Sequence, residues 1–378
     1  MPDSSPSVGL GEVAGLFLKL GAIAFGGPAA HVAMLEDEVV RRRGWLSRED
    51  FLDLWAATHL IPGPNSTELA IHIGHRVAGW PGLLVAGACF ILPAFLIVWG
   101  LAWAYVAFGA MPQAEALLLG VKPVVLAVVL QALWGLGKTA LKTKTLTAVA
   151  LAVAGGLILG AHELALLLAA GAAVAALRGF PARGAGLAFA PWLAATASAS
   201  APVGLWPIFG FFVKVGSVLF GSGYVLLAFL QTDLVDRWGW LTSRQLLDAV
   251  AIGQVTPGPV FTTATFIGYL LAGSPGAVTA TVGIFLPAFV FVALSGPLIP
   301  RMRQSPVAAA FLDGVVAASF ALMAVVSWDL ARAAIVDGWT AAIGVGAAIA
   351  LIRFRVNSAW LVLAGAVIGL LLGITRAS

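Results

Sequence analysis

Cysteine is almost absent: Cys89 stands alone, so the chain can form no internal disulfide and no cysteine-based metal cluster. Charge is nearly as scarce. Asp, Glu, Lys and Arg make up 10% of 378 residues, against about 25% in soluble domains, too few to cover a water-facing surface. The formal net charge of +4 is small and dispersed among loops, which argues against nucleic acid as a partner. Runs of alternating residues, the mark of membrane β-strands, do not occur. The first residues, "MPDSSPSVGLGEVAG", lack a basic stretch, so no cleaved secretory signal is expected. Metalloprotease pairs, nucleophile elbows and phosphate-binding loops are also missing, so no enzyme, cofactor or metal site is expected.

Apolar residues are what the chain has in abundance, at 61%, with a mean hydropathy of +1.00. Runs of about 20 of them recur along the length, each enough for a helix to cross a bilayer core. The expected fold is an all-α polytopic membrane protein.

The chain repeats itself. "FLKLGAIAFGG" from Phe17 lies over "FVKVGSVLFGS" from Phe212, and "EVVRRRGWLS" over "DLVDRWGWLT". "LIPGPNST" lies over "VTPGPVFT", and "ILPAF" over "FLPAF"; Trp134 then matches Trp328, and Gly171 matches Gly365. The division that follows is one repeat over 1–178, a Pro/Ala/Gly/Ser linker over 179–204 and a second repeat over 205–378. Each half reads as about five spans plus a Pro-Gly-Pro-broken re-entrant helix pair. The first-half spans are expected near 9–30, 82–106, 113–137, 145–161 and 163–178, with the interrupted segment at 51–75. An odd span count would insert the second repeat upside down, giving inverted topology. With the N-terminus outside, about 14 Lys and Arg fall in cytoplasmic loops against about 4 opposite, the bias expected of a membrane protein.

The residues with chemistry cluster at the breaks. Pro62-Gly63-Pro64 must end one helix and start another, leaving unpaired N–H groups at the positive end of a helix dipole. Asn65, Ser66 and Thr67 follow, able to cap those groups, and the same N–H groups suit an anion. Gly258 occupies the matching turn, with Thr262 and Thr263 beyond it. A packed proline kink would explain one such turn. Two at equivalent positions, each followed by hydroxyl residues, fit the discontinuous helices of secondary transporters better. "AFGGP" and "LFGSG" supply a second repeated break at Gly26, Gly27, Gly221 and Ser222, for which close helix packing is an equal explanation. Lys19 and Lys214 lie six residues before these breaks, where an intramembrane lysine is costly and could face a bound dianion. Glu68 and His72, four apart on one helix face, are candidates for proton coupling or for bracing the helix start. His31, His59 and His75 read as interfacial, and 36–51 as a charged interfacial helix-loop.

The strings "FGGP", "EDEVVRRRGWLS", "LIPGPNSTELAIHIG", "GACFILPAF", "FGSGYVLLAFLQTDLV" and "GQVTPGPVFTTATFIGYLLAG" closely resemble the chromate ion transporter family in its long, two-domain form, over essentially the whole chain. The resemblance implies chromate efflux from the bacterial cytoplasm and chromate resistance, coupled to sulfate or to protons. It implies a multi-pass protein of the inner membrane, with chromate or sulfate and membrane lipid as partners and a homodimer allowed. It also implies a cytoplasmic N-terminus, against the outside start used for the loop count. Three rival readings stay open: a carrier of another anion such as sulfate, an intramembrane enzyme using Glu68 and His72, and a passive anion channel.

Overall fold

The structure is a computed structural model and describes residues 8–25, 27–108, 111–178, 203–220, 225–295, 305–354 and 356–377. Gly26, Gly221 and Ser222, and the expected linker up to residue 202, lie outside the described residues. The first half forms α1 (Leu10–Ile23), α2 (Gly27–Glu36, continuing into a π-helical turn, Asp37–Arg42), α3 (Arg48–Thr58) and α4 (Asn65–Phe108). It continues with α5 (Pro112–Ala140), α6 (Lys144–Ile158) and α7 (Glu163–Leu177). The second half forms α8 (Leu205–Val218), α9 (Leu226–Phe229, continuing into a π-helical turn, Leu230–Arg237), α10 (Ser243–Val255) and α11 (Thr263–Ser295). It ends with α12 (Pro306–Ala334), α13 (Gly338–Phe354) and α14 (Ser358–Ala377). Among the described residues there is no strand, and α4, α5, α11 and α12 are long and apolar enough to cross a membrane.

The first segment of each half is not a single span. Lys19 and Glu38 lie 19 residues apart yet form an ion pair at 2.7 Å. In one continuous helix they would stand about 28 Å apart, so the chain reverses between α1 and α2. Lys214 and Asp233 meet at the same separation and the same 2.7 Å. The span expected near 9–30 and its second-half equivalent are therefore helical hairpins. The break follows from the sequence: Gly-Gly-Pro cannot carry the α1 hydrogen-bond ladder forward, and Pro28 suits the first turn of a new helix.

A second hairpin follows at Pro-Gly-Pro, where Asp50 of α3 faces Arg76 of α4 at 3.8 Å. The long α4 is itself two helices, joined where Ala78 and Gly79 leave the helical region (Gly79 φ 64°). α11 breaks alike at Ala272 and Gly273. There the hydroxyls of Thr265 and Thr281, 16 residues apart, come within 2.7 Å, which only a sharp reversal allows. Gly273 takes φ 60°, open to glycine without the Cβ penalty.

Packing interlocks the two halves. α5 lies against α13 and α14, α12 lies against α6 and α7, and α4 meets α11. Small residues set these distances: a Cβ on Gly120 would run into the Gly365 carbonyl, and one on Gly314 into the Ala170 carbonyl beside Gly171. Helices approach this closely in membranes through glycine because backbone contact replaces the missing hydrophobic drive. Neither half's long central helix is covered by its own half alone.

Candidate functional site

The four broken helix ends meet in a crossed pattern. The Gly63 N–H donates to the Leu219 carbonyl at 2.9 Å, and the Gly258 N–H donates to the Ala24 carbonyl at 2.9 Å. Gly63 corresponds to Gly258 in the repeat, and Ala24 to Leu219. Each Pro-Gly-Pro turn therefore closes on the first-hairpin break of the other half. Breaking a helix leaves carbonyls and amides that must find partners in an apolar setting; here two of them find each other across the repeat. Ala94 and the Gly21 carbonyl crowd Gly258 from the α4 and α1 sides. The residues singled out at the two kinds of break thus belong to one junction, as far as they are described.

The Ala24 carbonyl has a second donor. His31 Nε2 lies 3.0 Å from it, in the tautomer that carries its proton on that nitrogen, and the residue is only 2% exposed. Its ring meets Phe90 edge-on at 5.8 Å. Sequence reading placed His31 at an interface and missed it. The usable signal was its position four residues into α2, directly after the glycine break, with Leu226 at the matching place in the second half.

On the first-half side the junction carries polar groups without partners. Ser66, Thr67, Glu68 and His72 are all buried in the first two turns of α4, and Asn65 is half-buried. The Glu68 carboxyl folds back over Gly63, where an added Cβ would strike its Oε1. Both Glu68 oxygens, Thr67 Oγ1, His72 Nε2 and His31 Nδ1 have no hydrogen-bond partner. Glu68 and His72 share a helix face but are not bonded to one another. Buried polar groups are paired in the great majority of cases, and burying an unpaired carboxylate charge is especially costly. A cluster of four such side chains beside broken helices suits an exchangeable partner, a proton or a polar solute.

The second-half side is chemically quiet. The Thr262 and Thr263 hydroxyls donate to the Pro259 and Val260 carbonyls, each at 2.8 Å, within their own turns. Phe261 fills the place of Ser66 and packs near Phe285. The junction is symmetric in backbone and asymmetric in side chains.

Lys19 and Lys214 are five residues short of the junction carbonyls, about 7 Å along a helix. Each is held by a carboxylate from the far leg of its hairpin, and neither stands as a lone positive charge. Arg43 adds to Glu38 at 3.3 Å, and Arg237 adds to Asp233. The acids were missed because 36–51, and with it the matching second-half segment, reads as a charged interfacial helix-loop. Their signal was the equal Lys-to-acid spacing in both repeats. Lys122 of α5 also has a partner, Asp248 of α10 at 3.0 Å, and Tyr105 donates to the same carboxylate at 2.9 Å.

The profile of the family described as "Chromate transporter" matches the chain twice, over residues 11–177 and 206–370. The chain belongs to the chromate transporter family. Among its relatives in this family is the chromate transport protein of Cupriavidus metallidurans, 34% identical over 372 residues, covering 96% of this chain and 93% of the relative. The chromate transport protein of Pseudomonas aeruginosa is 35% identical over 84% of this chain and 80% of its own length. A probable chromate transport protein of Synechococcus elongatus is 32% identical over 83% and 82%. No solved structure matches the chain. Family membership and the long apolar helices together make this a multi-pass membrane protein of a transporter family, not of an enzyme family.

Proposed function

We propose that the chain is a secondary transporter that carries chromate out of the bacterial cytoplasm across the inner membrane, with sulfate as the analogous physiological dianion. The observation that carries this reading is the crossed pair of hydrogen bonds, Gly63 to Leu219 and Gly258 to Ala24, which draws the broken helices of both halves to one point. Discontinuous helices meeting between repeats are where secondary carriers bind their solutes. A tetrahedral dianion would take N–H groups at the starts of α2 and α4, with Gly26, Gly27, Gly63, Asn65, Ser66 and Thr67 on one side. Gly258, Thr262 and Thr263 would flank it on the other, and the repeat assigns Gly221 and Ser222, outside the described residues, to that side by sequence. Lys19 and Lys214 add positive potential from one and a half turns back, screened by Glu38 and Asp233. Glu68, with His72, carries the coupling proton.

The repeats 1–178 and 205–378 are read as inverted, on three ion pairs. The hairpins return the N-terminus, the 43–47 loop and the 78–79 bend to one face, and four crossings bring Arg178 back to it. Arg178 then meets Asp313, early in α12, whose counterpart α5 starts on the opposite face. Arg237, counterpart of Arg42, meets Glu163 at the start of α7. Asp248, counterpart of Asp53, meets Lys122 and Tyr105. Each contact pairs opposite ends of corresponding elements, as inversion requires. The same basic loops stay together, but the α1–α2 reversal moves the N-terminus to their side, the cytoplasm, where counting α1–α2 as one span had put it outside.

Proteoliposomes with pH and sulfate gradients imposed independently test the proposal. Saturable chromate flux that sulfate competes with, driven by one of the gradients, is the expected result. Flux that rises linearly with concentration and ignores both gradients would leave a passive channel instead.

A further inference from the structure

We propose that the face opposite the basic loops is closed by a gate of buried ion pairs between the two halves, with Glu163 as its key, and that the exported anion leaves only when this gate opens. The inference rests on the transporter reading above and adds which residues hold the exit shut. Glu163 is the first residue of α7, and its side chain is 1% exposed. Its partners from the other half are Arg237 at 2.9 Å and Lys214 at 3.6 Å, and His162 of its own half lies 3.8 Å from it. Both cations also hold the fully buried Asp233. Two carboxylates and two cations balance, and Glu163 is the carboxylate that ties the set to the first half. A second latch lies on the same face, where Lys122 and Tyr105 of the first half clasp Asp248 of the second. It lies at a cavity of about 380 Å³ that Arg244 also lines.

Among the described residues, the other face has no buried counterpart of this device, although the repeat offers it the same places. Asn357 stands where Glu163 would be, and Val316 where Lys122 would be. Glu38 is held by Lys19, Arg42 and Arg43, all from its own half. The Lys19 side chain is 48% exposed where Lys214 is 13% exposed. The cross-half pair on that face, Arg178 with Asp313, is 40% and 34% exposed. Two equivalent lysines in unequal surroundings mean that the halves are closed on one face and looser on the other. Buried pairs suit a gate because parting them strands charges unless water enters at once, so the face opens as a unit. Once Glu163 moves away, Lys214 and Arg237 present the departing dianion with cations that have lost a carboxylate.

Hydrogen exchange of the full chain in lipid nanodiscs, read by mass spectrometry, tests the gate. Glu163→Gln keeps the side-chain shape and removes the charge. Exchange in segments 160–168 and 230–240 should accelerate roughly tenfold or more, because one partner of a buried set is gone, while segment 36–46 stays at its wild-type rate. Asn357→Glu, which places the missing carboxylate on the other face, should slow exchange in 36–46. Uniform acceleration of all segments, or no change in any, overturns the gate. Chromate flux from the same preparations separates the two ideas. If the segments respond but wild-type protein carries no chromate, the transporter reading fails and the gate stands. If wild-type protein carries chromate and Glu163→Gln alters neither exchange nor flux, the gate alone fails.

Discussion

Gly63→Ala probes the junction most directly, because two separable costs meet at one atom. The first is conformational. Gly63 takes φ 139°, and a non-glycine residue held in a sparsely populated region costs about 1–3 kcal/mol. The second is steric, since the new methyl would strike Glu68 Oε1; overpacking of this kind costs about 1–3 kcal/mol more. Gly44→Ala is the control. Gly44 also has positive φ, at 61°, but nothing lies within 4 Å of an added Cβ, so it pays only the left-handed penalty of about 1–2 kcal/mol. Thermal unfolding in detergent should therefore rank Gly63→Ala well below Gly44→Ala. Adding Glu68→Ala removes the struck atom, so the double variant should recover the steric part as a coupling of about 1–3 kcal/mol. Chromate flux should fall in Gly63→Ala beyond what the lost stability explains, since the displaced carboxyl is the proposed proton carrier. Equal unfolding for the two glycine variants, or no recovery on adding Glu68→Ala, would refute the placement of Glu68 over the turn.

Three further outcomes are expected. Asp233→Asn should lower stability by about 3–5 kcal/mol, the scale for breaking a buried pair, because Asp233 is fully buried and both of its cations are largely so. Glu38→Gln, at the same place in the repeat, should cost about 1 kcal/mol or less, since Lys19 is half exposed; paired chemical denaturation measures the contrast, and equal losses would contradict it. His31→Leu, which copies residue 226 of the other half, removes one of two donors to Ala24 and should cost about 1 kcal/mol of stability. Its transport rate should fall more than that, and His31→Gln should restore part of it. Gly120→Val should abolish folding or expression, because α5 and α14 cannot part enough at Gly365; normal yield of monodisperse protein would show the contact to be dispensable.

Periodicity and repeats made the all-helical architecture and the breaks legible. Pro-Gly-Pro and Gly-Gly-Pro are local instructions, and each did end a helix, whereas the breaks at Ala78-Gly79 and Ala272-Gly273 appear in the structure alone. Where the chain reversed was not legible at Gly-Gly-Pro, because a kinked span and a hairpin share one hydropathy profile. The deciding contact, Lys19 with Glu38, is between an apolar helix and a segment that reads as a charged loop. Such a pair is visible in sequence only as an equal spacing in two copies. The same blindness hides Asp248 behind Lys122, since Val316 at the matching place weakens the case for Lys122 in the sequence. His31 was discounted for lying near a loop, although its own side chain is buried at the junction.

What the duplication leaves unequal is the more informative half of the sequence. The backbone contacts at the junction come in matched pairs, so the two copies could exchange conformations without a change in hydrogen bonding there. Side chains remove that equivalence at three depths. At the junction, unpaired Thr67 and Glu68 face self-satisfied Thr262 and Thr263. Beside it, His31 braces one carbonyl, while Leu226 stands at the matching place and offers no hydrogen bond to the other. At the surface, Glu163 and Lys122 make buried cross-links on one face, where Asn357 and Val316 stand at the matching places and the described cross-half pair, Arg178 with Asp313, is more exposed. A symmetric backbone gives two states of similar energy; unequal side chains then bias which state is favoured and which ligand favours it. On the proposed transporter reading, the mismatches between the copies would set the direction of transport. Equalising them one at a time, by Glu163→Asn, Glu68→Thr and His31→Leu, should bring the rates of chromate entry and exit toward one another. Retention of the wild-type ratio in all three would place the bias elsewhere in the chain.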